Sequence, residues 1–438
     1  MLTTLKNAFK IKEIRQKILF TLGMLVVIRI GSQLPVPGVD TKFFSQWFAQ
    51  QTGGAFSFFD AITGGSFLNM SILALNINPY ITSSIIMQLL TIAIPKLEEM
   101  QRDGEDGRKK MVAITRYVTI ALALIQSTAM AIGFGRQGYL IEFNALNVIT
   151  TITALTAGSA FLMWVGERIT EKGIGNGISI VLVINIISRL PQDLSNLFEQ
   201  FVFGKAPATA ILAVVIIFAI IIAMVVLVII LNDGVRKIPV QYAKKMQGRK
   251  MVGGQTSNIP LKVNTSGVIP IIFAQSIMQF PIIICSFIGY NGTGVWAEIL
   301  KGLNSGYWCK PSQPIYSLGL LLYIVLIVFF AYFYTSITFN PLEVANNIKK
   351  QGGFIPGIRP GKPTSDYLNS ILNYIVFVGA CGLIIVSIVP IIVSGLFSIS
   401  RLSFMGTSLI IIVGVVLETI KSIESQMLVR NYKSFLND

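Results

Sequence analysis

Long uncharged runs constrain this chain more than anything else in it. Residues 208–231 and 318–339 carry no Asp, Glu, Lys or Arg, and each reaches or exceeds the roughly 20 residues a helix needs to cross about 30 Å of hydrocarbon. Backbone amides in hydrocarbon must be satisfied internally, so such runs read as spanning helices. Ten are expected, near 18–34, 75–95, 112–134, 148–167, 176–190, 208–232, 267–289, 315–339, 368–392 and 402–427, the fifth being short. Charged residues make up only 13% of the 438, against about 25% in a soluble domain. The class is an all-α integral membrane protein.

Cytoplasmic segments hold an excess of Lys and Arg, which fixes orientation. With the N-terminus inside, 27 of the 35 basic residues fall in cytoplasmic segments or span ends and eight on the other side. Both termini are therefore expected in the cytoplasm. The stretch 1–17 is basic and amphipathic and leads directly into the first span, so no cleavable signal is expected. Cys285 and Cys381 lie in spans and Cys309 in an outer loop, without metal-site spacing.

The sequence contains no histidine, which removes Ser-His and Cys-His nucleophile pairs and the HExxH zinc site. Gly133, Gly135 and Gly138 form a GxGxxG, but it follows a membrane helix rather than a strand, so it reads as an outer loop. Pro356 and Pro363 spoil a P-loop ending at Gly361-Lys362. No enzyme activity, cofactor or metal is expected. Arg29, Arg116, Glu167, Arg401 and Glu418 all lie near span ends, which argues against a proton-coupled pump.

Two segments resemble each other. Residues 79–88, PYITSSIIMQ, and 270–279, PIIFAQSIMQ, share a proline, an isoleucine two residues on and a closing Ile-Met-Gln. Each sits in the second span of a five-span half, and an odd number of spans per half gives two inverted halves with the functional site between them. Both combine proline with polar residues, which suits backbone lining an aqueous path. Residues 55–70 are apolar, too short to span and broken at Gly64-Gly65, so they read as re-entrant or interfacial. Gly173, Gly175 and Gly177 read either as a discontinuous-helix signature or as a tight turn.

Two cytoplasmic loops are longer than helix connections need. Loop 232–266 carries Arg236, Lys237, Lys244, Lys245, Arg249, Lys250 and Lys262 against Asp233 alone. Topology control and attraction to anionic lipid explain part of this. Loop 340–367 presents Arg359 on a tip stiffened by Pro356, Pro360 and Pro363. Such loops suit docking to RNA phosphates or to an acidic protein.

LPVPGVD (34–40), GGSFLNMSILALNINPYITSSIIMQLL (64–90), GERITEKGIGNGISI (166–180), IPLKVNTSGVIPIIFA (259–274) and FNPLEVANNIKKQGGFIPGIRPG (339–361) follow in order along the chain. Through them it resembles the SecY family, the channel subunits of the bacterial protein translocase. The resemblance implies an N-terminal half over 18–190 (spans 1–5), an outer hinge loop 191–207, a C-terminal half over 208–427 (spans 6–10) and a tail 428–438. It implies a plug helix within 55–70 (Phe58, Phe59, Ile62, Gly64, Gly65, Phe67, Leu68) and an aliphatic pore ring of Ile77, Ile81, Ile178, Leu182, Ile272 and Ile411. It implies a lateral gate between spans 2 and 7, where Thr82, Ser84, Gln88, Gln275 and Gln279 lie. The partners implied are SecE and SecG in the membrane, SecA and the ribosome at the basic residues and Arg359, and unfolded preproteins with their signal sequences. Asn76 and Asn78 depart from the family's Gly and Met, which is expected to wet the cytoplasmic mouth of the ring.

These residue types suit passage of an unfolded chain. A water-filled path removes the cost of unpaired backbone in lipid, and branched aliphatic side chains close around any sequence without specific hydrogen bonds, gating by dewetting. An inverted-repeat transporter of small solutes is the alternative, disfavoured by the scarcity of midplane charge and by the basic loops. A scaffold that only docks ribosomes is weaker still.

Overall fold

The computed structural model describes the chain except residues 1–5, 7, 42, 45–62, 137, 139, 204–206, 243–244, 248–249, 253–255, 289–293, 311–312, 398–406 and 437–438. Helices overlap each of the ten expected runs. They are α1 (Lys12–Gly31), α2 (Asn78–Ala93), α4 (Gly104–Arg136), α5 (Ala145–Lys172), α6 (Gly177–Phe201), α7 (Pro207–Asp233), α8 (Ile269–Ile288), α10 (Leu318–Thr338), α12 (Lys362–Phe397) and α13 (Thr407–Leu436). Shorter helices α3 (Pro95–Arg102), α9 (Val295–Leu303) and α11 (Pro341–Lys350) lie between them. Among the described residues six helical stretches are long and apolar enough to cross a membrane, and a seventh is the pair α2–α3, bent by 108°. Pro95 opens α3, and a proline disfavours helical backbone at the residue before it, here Ile94 with φ −116° and ψ 109°.

Among the N-terminal helices α2 packs on α4, α4 on α5 and α5 on α6; among the C-terminal ones α8 packs on α10, and α10 and α7 on α12. Helix α13 touches both α6 and α7. Residues 34–40 are stitched to the chain beyond Gly65: Val36 N–H donates to the Met70 carbonyl and Ile72 N–H to the Leu34 carbonyl, both at 2.9 Å. Phe44, Phe67 and Phe134 meet edge-on or tilted at centroid distances of 5.6, 5.0 and 6.3 Å, closing an apolar core under this outer cap.

Three expectations change. The fifth span is not short: α6 runs 25 residues through Pro191, so the hinge loop placed at 191–207 shrinks to the few residues between Phe201 and Pro207. The glycines at 173–177 mark a tight turn rather than a broken helix. Gly173 caps α5, Gly175 takes φ +72°, and the Asn176 side chain caps α6 by accepting from the Ile178 and Ser179 amides.

The chain is also not purely helical. The loop placed at 232–266 folds into β1 (Val235–Tyr242), β2 (Lys245–Gln247), β3 (Lys250–Val252) and β4 (Thr256–Lys262). β1 and β4 pair antiparallel from Val235↔Lys262 to Gln241↔Thr256. On its other edge β1 takes β5 (Gly353–Phe354) from the second loop, giving the order β4-β1-β5. Ile238, Val240, Leu261, Ile348, Ile355, Leu368 and Ile375 form one buried core beneath it. The two basic loops are thus one small folded unit, built partly on α11 and the first turns of α12.

Candidate functional site

Where α2, α5, α6 and α13 converge, an aliphatic cluster is buried. Ile77, Leu182 and Ile411 belong to its buried part, and Ile81 and Ile178 pack against it. Five of the six expected ring residues therefore belong to one cluster, contributed by α2 and the residue before it, by α6 and by α13. Ile272, the sixth, is half-buried on α8 and lies outside the cluster, although Val268, just before α8, packs against it. Branched aliphatic side chains dominate here, with Tyr80 and Met24 packed against them, so the arrangement can exclude water and recognise no particular sequence.

A polar tier adjoins the aliphatic one. Asn185, on α6, donates from its side-chain nitrogen to Asn76 Oδ1 at 3.0 Å, and Arg29 Nη1, on α1, donates to Asn185 Oδ1 at 3.4 Å. Ser159 Oγ donates to the Asn76 carbonyl at 3.1 Å. The expectation that Asn76 wets a cytoplasmic mouth is overturned. It is 1% exposed, bonded inward, and holds the left-handed φ of +53°, which Asn tolerates better than most residues. Asn78, half-buried, opens α2. Sequence reasoning missed Asn185 altogether; its signal was an amide flanked on both sides by aliphatic residues inside a span, where a polar side chain needs a partner.

Of the plug residues, Phe58, Phe59 and Ile62 lie outside the described residues. Gly64 and Gly65 take φ +65° and +85°, and residues 64–70 form turns instead of the expected helix. Phe67 is buried in the first half's own core, with Leu68 against it.

The gate residues divide. Thr82 and Gln88 are exposed and Ser84 half-buried on α2, while Ser83 turns inward and donates to the Thr115 carbonyl on α4 at 2.9 Å. On α8, Gln279 is buried, and Gln275 holds a buried Oε1 without a hydrogen bond. Helix α8 packs against α4, not chiefly against α2 as the resemblance implies for the gate. Arg116 is paired with Glu167 at 2.8 Å across α4 and α5.

Among the docking residues, Arg236 and Lys237 are exposed on β1, and Arg359 is exposed on the proline-rich tip, where its carbonyl accepts from Thr364 Oγ1 at 2.8 Å. Lys245 and Lys250 fall on β2 and β3; Lys244 and Arg249 lie outside the described residues. Because β5 pairs with β1, Arg359 and the strand that carries Arg236 and Lys237 belong to one platform, while β2 and β3 pair with each other in a separate two-stranded sheet.

The family model described as SecY matches residues 71–420. The protein translocase subunit SecY of Streptomyces galbus is 43% identical over 457 residues, with 100% of each chain covered. That of Mycobacterium tuberculosis strain H37Rv is 40% identical over 460 residues, again with 100% of each covered. Among solved structures, "The structure of a protein conducting channel" aligns with a TM-score of 0.63 at 18% identity over 97% of both chains. "Sec61 in the Canine ribosome-channel complex from the endoplasmic reticulum" aligns with 0.61 at 17%, also over 97% of both. At those identities the likeness to solved structures is one of fold.

Proposed function

Since this chain belongs to the SecY family, we propose the way in which its own residues perform that family's protein conduction. It is the channel subunit of a protein translocase in the membrane; nothing favours the small-solute transporter alternative.

The observation that carries the mechanism is the meeting of Ile77, Ile81, Ile178, Leu182 and Ile411 between the halves. At rest these side chains pack on each other and exclude water. A polypeptide entering from the cytoplasm replaces those contacts with contacts to itself, and Ile272 joins the ring when α8 moves with its half. Ten spans in two inverted halves, with both termini cytoplasmic in a bacterial plasma membrane, give the frame for this movement. The stretch 55–70 serves as the plug.

Separation of α8 from α2 and α4 opens the seam to lipid. A passing segment then partitions by its hydrophobicity, at about −0.3 to −0.6 kcal/mol per Leu, Ile, Phe or Val against +2.5 to +3.5 per Asp, Lys or Arg. Thr82, Ser84, Gln88, Gln275 and Gln279 keep the closed seam from becoming a wholly apolar joint. The sheet platform with Arg236, Lys237, Lys244, Lys245, Arg249, Lys250 and Arg359 docks SecA or the ribosome and approaches anionic lipid, and SecE and SecG complete the membrane complex.

The test is site-specific crosslinking from a probe at position 81 in vesicles fed with SecA, ATP and a stalled secretory precursor. An adduct that requires SecA and ATP is expected. Its absence from an intact, precursor-loaded complex would remove Ile81 from the path.

A further inference from the structure

Helix α9 joins the ends of α8 and α10 that lie away from the sheet platform. Val295, Trp296 and Ile299 are 79%, 50% and 45% exposed, and at spacings of three and four they share one side of the helix with Leu303. That side has a direction. Leu303 packs against the apolar core built by α7, α8, α10, α12 and α13, so the side points back toward the layer that the spans occupy. Glu298 and Lys301 take the other side, where Glu298 accepts from Lys301 Nζ at 3.2 Å and from the Tyr316 hydroxyl. The helix is also clamped. Trp308 Nε1 donates to the Gly302 carbonyl at 2.7 Å, and a Cβ added at Gly319, in the first turn of α10, would run into that carbonyl.

We propose that α9 is an interfacial anchor: the side with Val295, Trp296 and Ile299 enters the boundary between lipid headgroups and acyl chains, and the clamp to α10 fixes the depth at which α8 and α10 end. The occupant of that side is lipid because the apolar surface continues. Ile315 and Leu318 are exposed at the head of α10, and Leu321, Leu322 and Val325 extend the same stripe along a helix long and apolar enough to cross a membrane. The residue types are also those of a membrane boundary. Trp and Tyr gather there, with an apolar body and a polar tip, and Trp296 is joined here by Tyr307, Trp308 and Tyr316. Lys310 Nζ lies 5.2 Å from the centroid of the Tyr307 ring, where its stem can rest on apolar surface and its charge meet lipid phosphate. An amphipathic helix of this kind lies in the plane of the interface with its apolar side about 5–10 Å into the boundary.

The inference goes beyond the channel reading and requires only that α8 and α10 span the membrane. The full chain is reconstituted with SecE and SecG in phosphatidylcholine bilayers whose acyl chains carry bromine either near the glycerol end or near their middle. Bromine quenches an indole that touches it, and the emission of Trp296 is read as the difference between the parent and Trp296→Phe, a conservative change at an exposed site. Trp296 should lose more emission to the shallow bromines than to the deep ones. The ratio of the two losses should hold when the acyl chains are shortened, because an anchored helix follows the interface while the spans tilt or the bilayer adjusts. No loss to either bromine would overturn the anchor, showing that water or a protein subunit covers this side of α9. A ratio that shifts as the bilayer thins would overturn it as well, because α9 would then ride at a fixed height on α10. Transport is not part of the readout, so either failure leaves the channel reading standing.

Discussion

Truncating one side chain in the second basic loop should loosen the first. Ile355 is 3% exposed and shares its core with Ile238, Val240 and Leu261 of the first loop. Ile355→Ala deletes buried methyl and methylene groups at a cost of about 2–5 kcal/mol. If the sheet opens as one unit, that cost is felt by every strand in it. At roughly 1.4 kcal/mol per tenfold, the protection of β1 amides against hydrogen exchange should fall by about 30-fold or more, limited only by the stability of the unit itself. Exchange followed by mass spectrometry on the intact protein, with peptides covering 235–262 and 340–361, reads both loops at once. Docking of SecA should weaken in step, since Arg359 and the basic strands would lose their common support. Faster exchange confined to 353–361, with 235–242 unchanged, would show that the two loops are separate and that the platform described above does not exist.

Gly158 approaches the chain before α2 so closely that an added Cβ would lie 2.0 Å from the Ile72 carbonyl oxygen; Gly158→Ala should destabilise by about 1–3 kcal/mol and lower the thermal midpoint, whereas Gly23→Ala, which meets nothing within 4 Å, should not. Replacing Thr82, Ser84, Gln88, Gln275 and Gln279 by Leu should raise the signal hydrophobicity required for entry, and an unmoved threshold in a transport assay would remove their role at the seam. Between α8 and α10, Tyr316 and Lys301 hold the Glu298 carboxyl below its usual range. A depressed carboxylate contributes stability above its unfolded pKa that is lost as pH falls through the folded value. Exchange over 295–317 should therefore quicken only on acidification below the ordinary carboxylate range, and Glu298→Gln should erase that dependence.

The helical layout was legible because run length and charge decide it: α7 and α10 are announced by stretches without a single charge. That Ile77, Ile81, Leu182 and Ile411 fall in one apolar cluster was legible from side-chain type and resemblance; their part in a closing ring is the proposal made above. Loop 232–266 was harder. Its strand signal, Ile238, Val240 and Tyr242 alternating with Lys237, Pro239 and Gln241, was masked by the proline and the density of positive charge, and the pairing of β1 with residue 353, more than a hundred positions away, leaves no local trace. The fifth span looked short because Arg189, Pro191 and Asp193 interrupt its hydropathy, yet α6 continues and buries Arg189 and Asp193. Asn76 was misread for a related reason: polarity in an apolar run was taken for contact with water, and the structure satisfies it with Asn185 instead.

Helix α13 has a mechanical consequence. It carries Ile411 of the aliphatic cluster and, ten residues on, Lys421, whose Nζ lies 2.7 Å from Asp233 at the end of α7; Gln426 beyond it accepts from Lys17 at 3.1 Å. Ten residues of continuous helix are a rod of about 15 Å, stiff on the scale of a side chain. A tug or twist delivered to its C-terminal end would arrive at Ile411 as displacement, with little lost to bending. The proposed valve would then sit on a pushrod, and the force needed to part the cluster could be tuned from the far end of the same helix.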